Sequence, residues 1–232
     1  MAVHFVPEQL WLPRFEAASK PTDKLFFAIF PDDAAAHRIA ELARSLKSKY
    51  QLQGEPVLLK RFHVSLYHLG DYFGLPQDAI ARAEEAASAI TLQPFEVGCD
   101  RVIGFAGRNA DPQRDNCPIV LRATEGVAEL TALRRGLAAA MRRAGIKVPG
   151  NTRFTPHVTL LYDRPHEISV PVDSIRWTVR ELVLVHSLRG KTRYELKRLT
   201  SAPTRIPARP APCIAEDGMR SAAAIRQGRT SA

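Results

Sequence analysis

Hydrophobic and polar positions along this chain fall into one plan that occurs twice. Leu25-Phe26-Phe27-Ala28-Ile29-Phe30 is a short apolar run that stops at Pro31, which predicts a buried strand. Pro31-Asp32-Asp33 then offers an N-cap and first-turn acids, and Ala35, Ile39, Leu42 and Leu46 recur at helical spacing on one face. A loop leads to a second strand over residues 63–69. In the second half, Ile119-Val120-Leu121 predicts a strand after Pro118. Residues 125–144 predict a helix with Val127, Leu130, Leu133, Leu137 and Met141 on its apolar stripe and Gly145 as its stop. Its arginines, Arg134, Arg135, Arg142 and Arg143, take solvated or flanking positions. A strand over 157–162 completes the unit.

The interval from Ala28 to His63 is 35 residues and that from Val120 to His157 is 37. Two copies of strand, helix, loop and strand at matched spacing predict a duplicated pair of lobes and not a solenoid. Further strands are expected over 95–105, after a helix near 76–90, and over 175–188 and 193–199. The expected fold is α+β: a domain over 23–200 with two pseudo-symmetric lobes, antiparallel sheets, outer helices and a central cleft. Residues 1–22, with Pro7, Pro13 and Pro21 and no period, read as an arm that Trp11 and Phe15 could dock. Residues 201–232 are too poor in large apolar groups to offset their ordering entropy, and read as a disordered tail.

Composition adds little to this fold but narrows the partners. A length of 232 residues with 45% hydrophobic content is enough for a sizeable core. A formal net charge of +9 favours polyanions such as RNA, DNA or nucleotide phosphates. Cys99, Cys117 and Cys213 form neither a disulfide framework nor a CxxC metal knuckle, which fits a reducing cytoplasm. The N-terminus lacks the pattern of a signal peptide, and no apolar run approaches the roughly 18 residues of a membrane helix. No P-loop or GxGxxG fingerprint is present.

The candidate chemistry lies in the repeated strands, His63-Val64-Ser65-Leu66 and His157-Val158-Thr159-Leu160. Alternation puts His63 with Ser65, and His157 with Thr159, opposite an apolar underside. Two such faces meeting across a pseudo-twofold would suit a cyclic or strained phosphodiester. One imidazole takes a proton from water and the other gives one to the leaving oxygen, since histidine titrates near neutral pH. The hydroxyls donate to the non-bridging phosphate oxygens. This scheme needs no metal or other cofactor. A lone His-x-Thr strand usually carries no function; two copies at matching places in a repeat are different.

These motifs resemble those of the 2H phosphoesterases, and more closely the bacterial 2′-5′ RNA ligase group, also called RNA 2′,3′-cyclic phosphodiesterases. The likeness runs from Lys24 to Leu199. It includes Leu25-Phe26-Phe27-Ala28-Ile29-Phe30-Pro31-Asp32, the first motif followed by Leu69-Gly70-Asp71, Arg153-Phe154-Thr155-Pro156 before the second motif, and Leu184-Val185-His186-Ser187-Leu188. The resemblance implies a bilobal fold and metal-independent opening of a 2′,3′-cyclic phosphate to a 2′-phosphate, with possible reverse joining of RNA ends. It implies His63 as proton donor and His157 as acceptor. Ser65 stands where threonine is commoner, and the family's tryptophan-proline ending is absent after Leu199.

Arg153, four residues before His157, either faces the phosphate or holds a solvated edge. Arg61 is a weaker candidate two residues before His63. Tyr67 shares the His63 face by parity and could stack on a base or wall the cleft. His68 should face away by the same parity. A zinc site from His63, His157 and Asp163 is the less favoured choice, since no close-spaced ligand pair is present. The expected partner is RNA with 2′,3′-cyclic phosphate ends, or a related nucleotide, bound by a monomer off the membrane. A non-catalytic RNA-binding protein on the same scaffold, or a phosphodiesterase for 2′-5′ oligonucleotides or cyclic-phosphate nucleotide metabolites, are the alternatives.

Overall fold

A computed structural model describes residues 21–104, 116–148 and 153–188, together with the backbone of Tyr194–Ser201. The expected arm up to residue 20, Phe105, Cys213 and the expected tail from 202 lie outside the described residues. The first repeat unit forms as the pattern requires. Strand β1 (Asp23–Ile29) leads through Asp32 into helix α1 (Asp33–Lys49). The Asp32 carboxylate accepts the Ala35 amide at 2.8 Å, capping one of the helix's unpaired donors. Strand β2 (Val64–Tyr72) follows. The second unit is strand β4 (Cys117–Glu125), helix α3 (Val127–Arg143) and strand β5 (His157–Asp163). Between the units come helix α2 (Gln77–Ser88) and strand β3 (Phe95–Gly104).

Strands β6 (Ser169–Val179), β7 (Glu181–Leu188) and β8 (Tyr194–Ser201) follow β5. The single strand expected over 175–188 is therefore two, broken at Arg180. Its N-terminal part was hidden by Pro171, which lacks a ladder donor. The described sheet has β6 at its end, where a proline is tolerated.

All strand pairs are antiparallel, in the order β6-β3-β4-β5-β2-β1-β7-β8. The order reads alike from either end, with a repeat strand and its histidine strand on each side of the middle. At the middle, β2 and β5 share only one register pair, Val64 with Val158. The expected antiparallel sheets of the two lobes thus join at a narrow seam into one curled sheet.

The main core lies between one face of this sheet and the three helices. It takes Ile39 and Leu46 from α1, Ala83 and Ala87 from α2, and Leu130, Leu137 and Met141 from α3. It runs across the seam without a break, through Val64, Leu66, Val158 and Leu160. Helices α1, α2 and α3 all pack on that face, and among the described residues no helix covers the other. A second, smaller cluster of Phe26, Ala28, Val183 and Val185, with Phe30 against it, lies on that other face.

Candidate active site

The seam brings the two motifs together. Val64 and Val158 are fully buried and paired, so the residues on either side of each point to the open face. The antiparallel register sets His63 across from Thr159 and Ser65 across from His157. The four residues predicted from the repeat are thus gathered at one place.

Each imidazole is held in the same way. Nδ1 of His63 donates to the carbonyl of Arg61, and Nδ1 of His157 to the carbonyl of Thr155, both at 2.7 Å. A carbonyl can only accept, so in the neutral ring Nε2 carries the lone pair and is the working atom. Nε2 of His63 lies 3.1 Å from Ser65 Oγ, whose hydroxyl donates to it.

The surroundings of His63 are apolar and cationic. The Phe26 and Phe30 rings lie 5.0 and 5.7 Å from the imidazole. Burial pulls the His63 pKa down to about 4; the Arg61 carbonyl resists, and the charges of Lys24, Arg61 and His157 add to the fall. His63 is therefore neutral at pH 7 in these surroundings.

Both motif strands carry a β-bulge at the same place. β1 pairs Ala28 with Ser65 and then Phe27 with Tyr67, passing over Leu66. β4 pairs Val120 with Thr159 and then Ile119 with Leu161, passing over Leu160. An extra residue breaks the alternation, so Leu66 and Tyr67 both enter the core, as do Leu160 and Leu161. This corrects two expectations. Tyr67 does not share the His63 face; it is 8% exposed and belongs to the core. His68 stands exposed on the open side instead, with Nε2 3.2 Å from Asp71. Its counterpart past the second bulge is Tyr162, 47% exposed, which parity alone did not single out.

A bulge leaves a carbonyl off the ladder, and each is met from outside. Val57 donates its amide to Leu160 O at 2.8 Å. Arg134 donates Nε to Leu66 O at 3.2 Å. The Arg134 guanidinium also lies over Tyr67 and Phe154, 4.5 and 4.8 Å from their centroids. Arg134 was expected at a solvated or flanking position; it ties α3 to the first motif and to the segment before the second, because the bulge supplies an acceptor that no sequence period marks.

Arg153 is exposed on the approach to β5. Arg61 contributes its carbonyl to His63. Asp163, weighed as a zinc ligand, points to the buried side, where it accepts the amides of Gln53 and Gly54. Burial pushes its pKa up, but bonds from Gly54, Arg164 and Gln53 outweigh that and leave it low. Gly54 is required there, since a Cβ would sit 1.8 Å from Tyr162 O. Among the described residues no three His, Cys, Asp or Glu side chains cluster to hold a metal. His186 lies away from the cleft, buried and bonded through Nε2 to Asp23. The Asp23 carboxyl is held below its ordinary range by Thr22 first and His186 second.

The sequence pattern of the 2′-5′ RNA ligase superfamily matches residues 30–191. An RNA 2′,3′-cyclic phosphodiesterase of Archaeoglobus fulgidus is 25% identical over 138 residues, spanning 59% of this chain and 70% of that protein. Among solved structures, E. coli LigT complexed with 3′-AMP is similar with a TM-score of 0.58 and 22% identity, over 78% of this chain and 99% of LigT. TT0787 of Thermus thermophilus is similar with a TM-score of 0.55 and 22% identity, over 77% of this chain and 96% of that one. Among the described residues no helix is long and apolar enough to cross a membrane.

Proposed function

This chain belongs to the 2′-5′ RNA ligase superfamily, and we propose that within it the protein is a metal-independent RNA 2′,3′-cyclic phosphodiesterase. The observation that carries this reading is the pair of carbonyl-anchored histidines, His63 and His157, beside two hydroxyls at one seam. The Archaeoglobus relative's activity and the 3′-AMP held by LigT support a nucleotide substrate.

In the proposed reaction, His157 Nε2 takes a proton from water as the water oxygen bonds to phosphorus. The P–O3′ bond breaks, and His63 Nε2 gives its proton to O3′. The products are a 2′-phosphomonoester and a 3′-hydroxyl. Ser65 and Thr159 donate to the non-bridging oxygens, where charge builds up. The donor role requires a protonated His63, yet burial keeps the free ring neutral. A phosphodiester anion in the cleft opposes that depression, so the ring gains its proton with the substrate. Ser65, whose hydroxyl donates to His63 Nε2, is then released to turn to phosphate. With a 5′-hydroxyl in place of water, the same displacement at phosphorus breaks the P–O3′ bond, returns the proton to O3′ and leaves a 2′-5′ phosphodiester, which is the joining reaction.

Phosphorus NMR of a cyclic-phosphate oligonucleotide, with purified protein and chelator, tests this directly. The expected product is the 2′-phosphate, with activity lost in His63→Ala and in His157→Ala. Binding without turnover would favour the RNA-binding alternative. Turnover that stops with chelator and returns with zinc would overturn the metal-free scheme.

A further inference from the structure

The two lobes differ where they flank the histidines. Ala28 and Val120 hold equivalent places, each paired with a motif hydroxyl residue. Two residues on, Phe30 lies beside His63 and Arg122 is paired with His157. One strand further out, β4 pairs Arg122 with Arg101 of β3, whereas the first lobe has Glu181 at the corresponding end of β7. Directly paired residues share a face, so His157, Arg122 and Arg101 form a row on the open side of the sheet. Their neighbours Leu121, Ala123 and Val102 point into the main core, which fixes this orientation.

Both arginines are exposed. Like charges directly opposite on paired strands are destabilising. The bulge between Cys99 and Arg101 sets Arg101 into this row. Among the described residues no carboxylate bonds to either guanidinium. Arg176 on β6, by contrast, is neutralised by Glu125, with Nε 2.7 Å from Oε2. A like-charged pair that begins beside the imidazole of His157 suits a chain of phosphates. The row reaches two strand spacings from His157, about 10 Å.

We propose that Arg122 and Arg101 form a phosphate track that leads single-stranded RNA away from His157 across β4 and β3. This rests on the cyclic phosphodiesterase reading. The terminal cyclic phosphate sits at the seam, and the phosphates on its 5′ side meet the two guanidiniums. The protein thus prefers oligonucleotide ends to a cyclic mononucleotide.

The test compares kcat/KM on a cyclic-phosphate oligonucleotide with that on 2′,3′-cyclic AMP. Arg122→Gln and Arg101→Gln each lower the ratio of the two about tenfold, as expected for loss of one charge-assisted contact. The log–log salt slope for the oligonucleotide falls by about 0.7 per arginine removed. Arg135→Gln, on the exposed side of α3, leaves the ratio as it is. An unchanged ratio in the Arg101, Arg122 double variant overturns the track. If the wild type opens neither substrate, the function reading fails instead. Fluorescence anisotropy with a 3′-phosphate oligonucleotide then decides the track alone: weaker, less salt-sensitive binding by the double variant supports it, and equal binding sinks it.

Discussion

His63 is the residue whose surroundings say most about how the site works. A histidine in an unfolded chain titrates near 6.5, whereas folded His63 stays neutral down to about 4. Between those values the unfolded chain binds the extra proton. His63 therefore lowers stability as pH falls from about 6.5 to about 4 and contributes no slope above that window. The difference in urea midpoint between pH 7 and pH 5 should shrink in His63→Gln; an identical difference would show that the ring is not depressed. Ring NMR gives the direct measurement: His63 titrates near 4 in the free protein and higher with 2′-AMP bound. A pKa that stays put on binding would leave the donor role without its proton.

Among the elements, the motif strands matter less for their alternation than for where it breaks. The matched bulges at Leu66 and Leu160 bury two successive side chains and move His68 and Tyr162 to the open face. They also create the acceptor that Arg134 fills. Arg134→Met keeps much of the volume but leaves the Leu66 carbonyl unmet and removes the cation between Tyr67 and Phe154. A loss of ~1–3 kcal/mol in urea unfolding is expected. Arg134→Lys keeps the charge but should recover only part of this stability, because an ammonium lacks the flat, forked guanidinium. Wild-type stability in Arg134→Met would mean that the bulge holds its shape unaided.

For the whole molecule, the narrow seam between lobes contrasts with the unbroken core beneath it. One register pair joins β2 to β5, but a single cluster spans both halves. The lobes should therefore unfold together. Leu160→Ala, at a fully buried site, should cost ~2–5 kcal/mol. Hydrogen exchange should then speed up in β1 as much as in β4. Loss of protection confined to β4 and β5 would show two independent lobes. The surface divides differently from the core. The first lobe presents Phe26 and Phe30 beside its histidine, and the second presents Arg122 and Arg101.

The sequence by itself determined the repeat, the helices and the four residues at the seam. Period and spacing are local properties, and the same side chains that anchor each strand also set its motif. It named His63, Ser65, His157 and Thr159 because both copies carry them. Only the tertiary structure decided that Tyr67 is core, that Arg134 is a tie and that Arg122 and Arg101 stand in line with His157. A bulge shifts parity by one residue without any mark in composition, and cross-strand register is fixed by partners far away in the chain. The depression of His63 also belongs to the fold, since it comes from the groups packed around the ring.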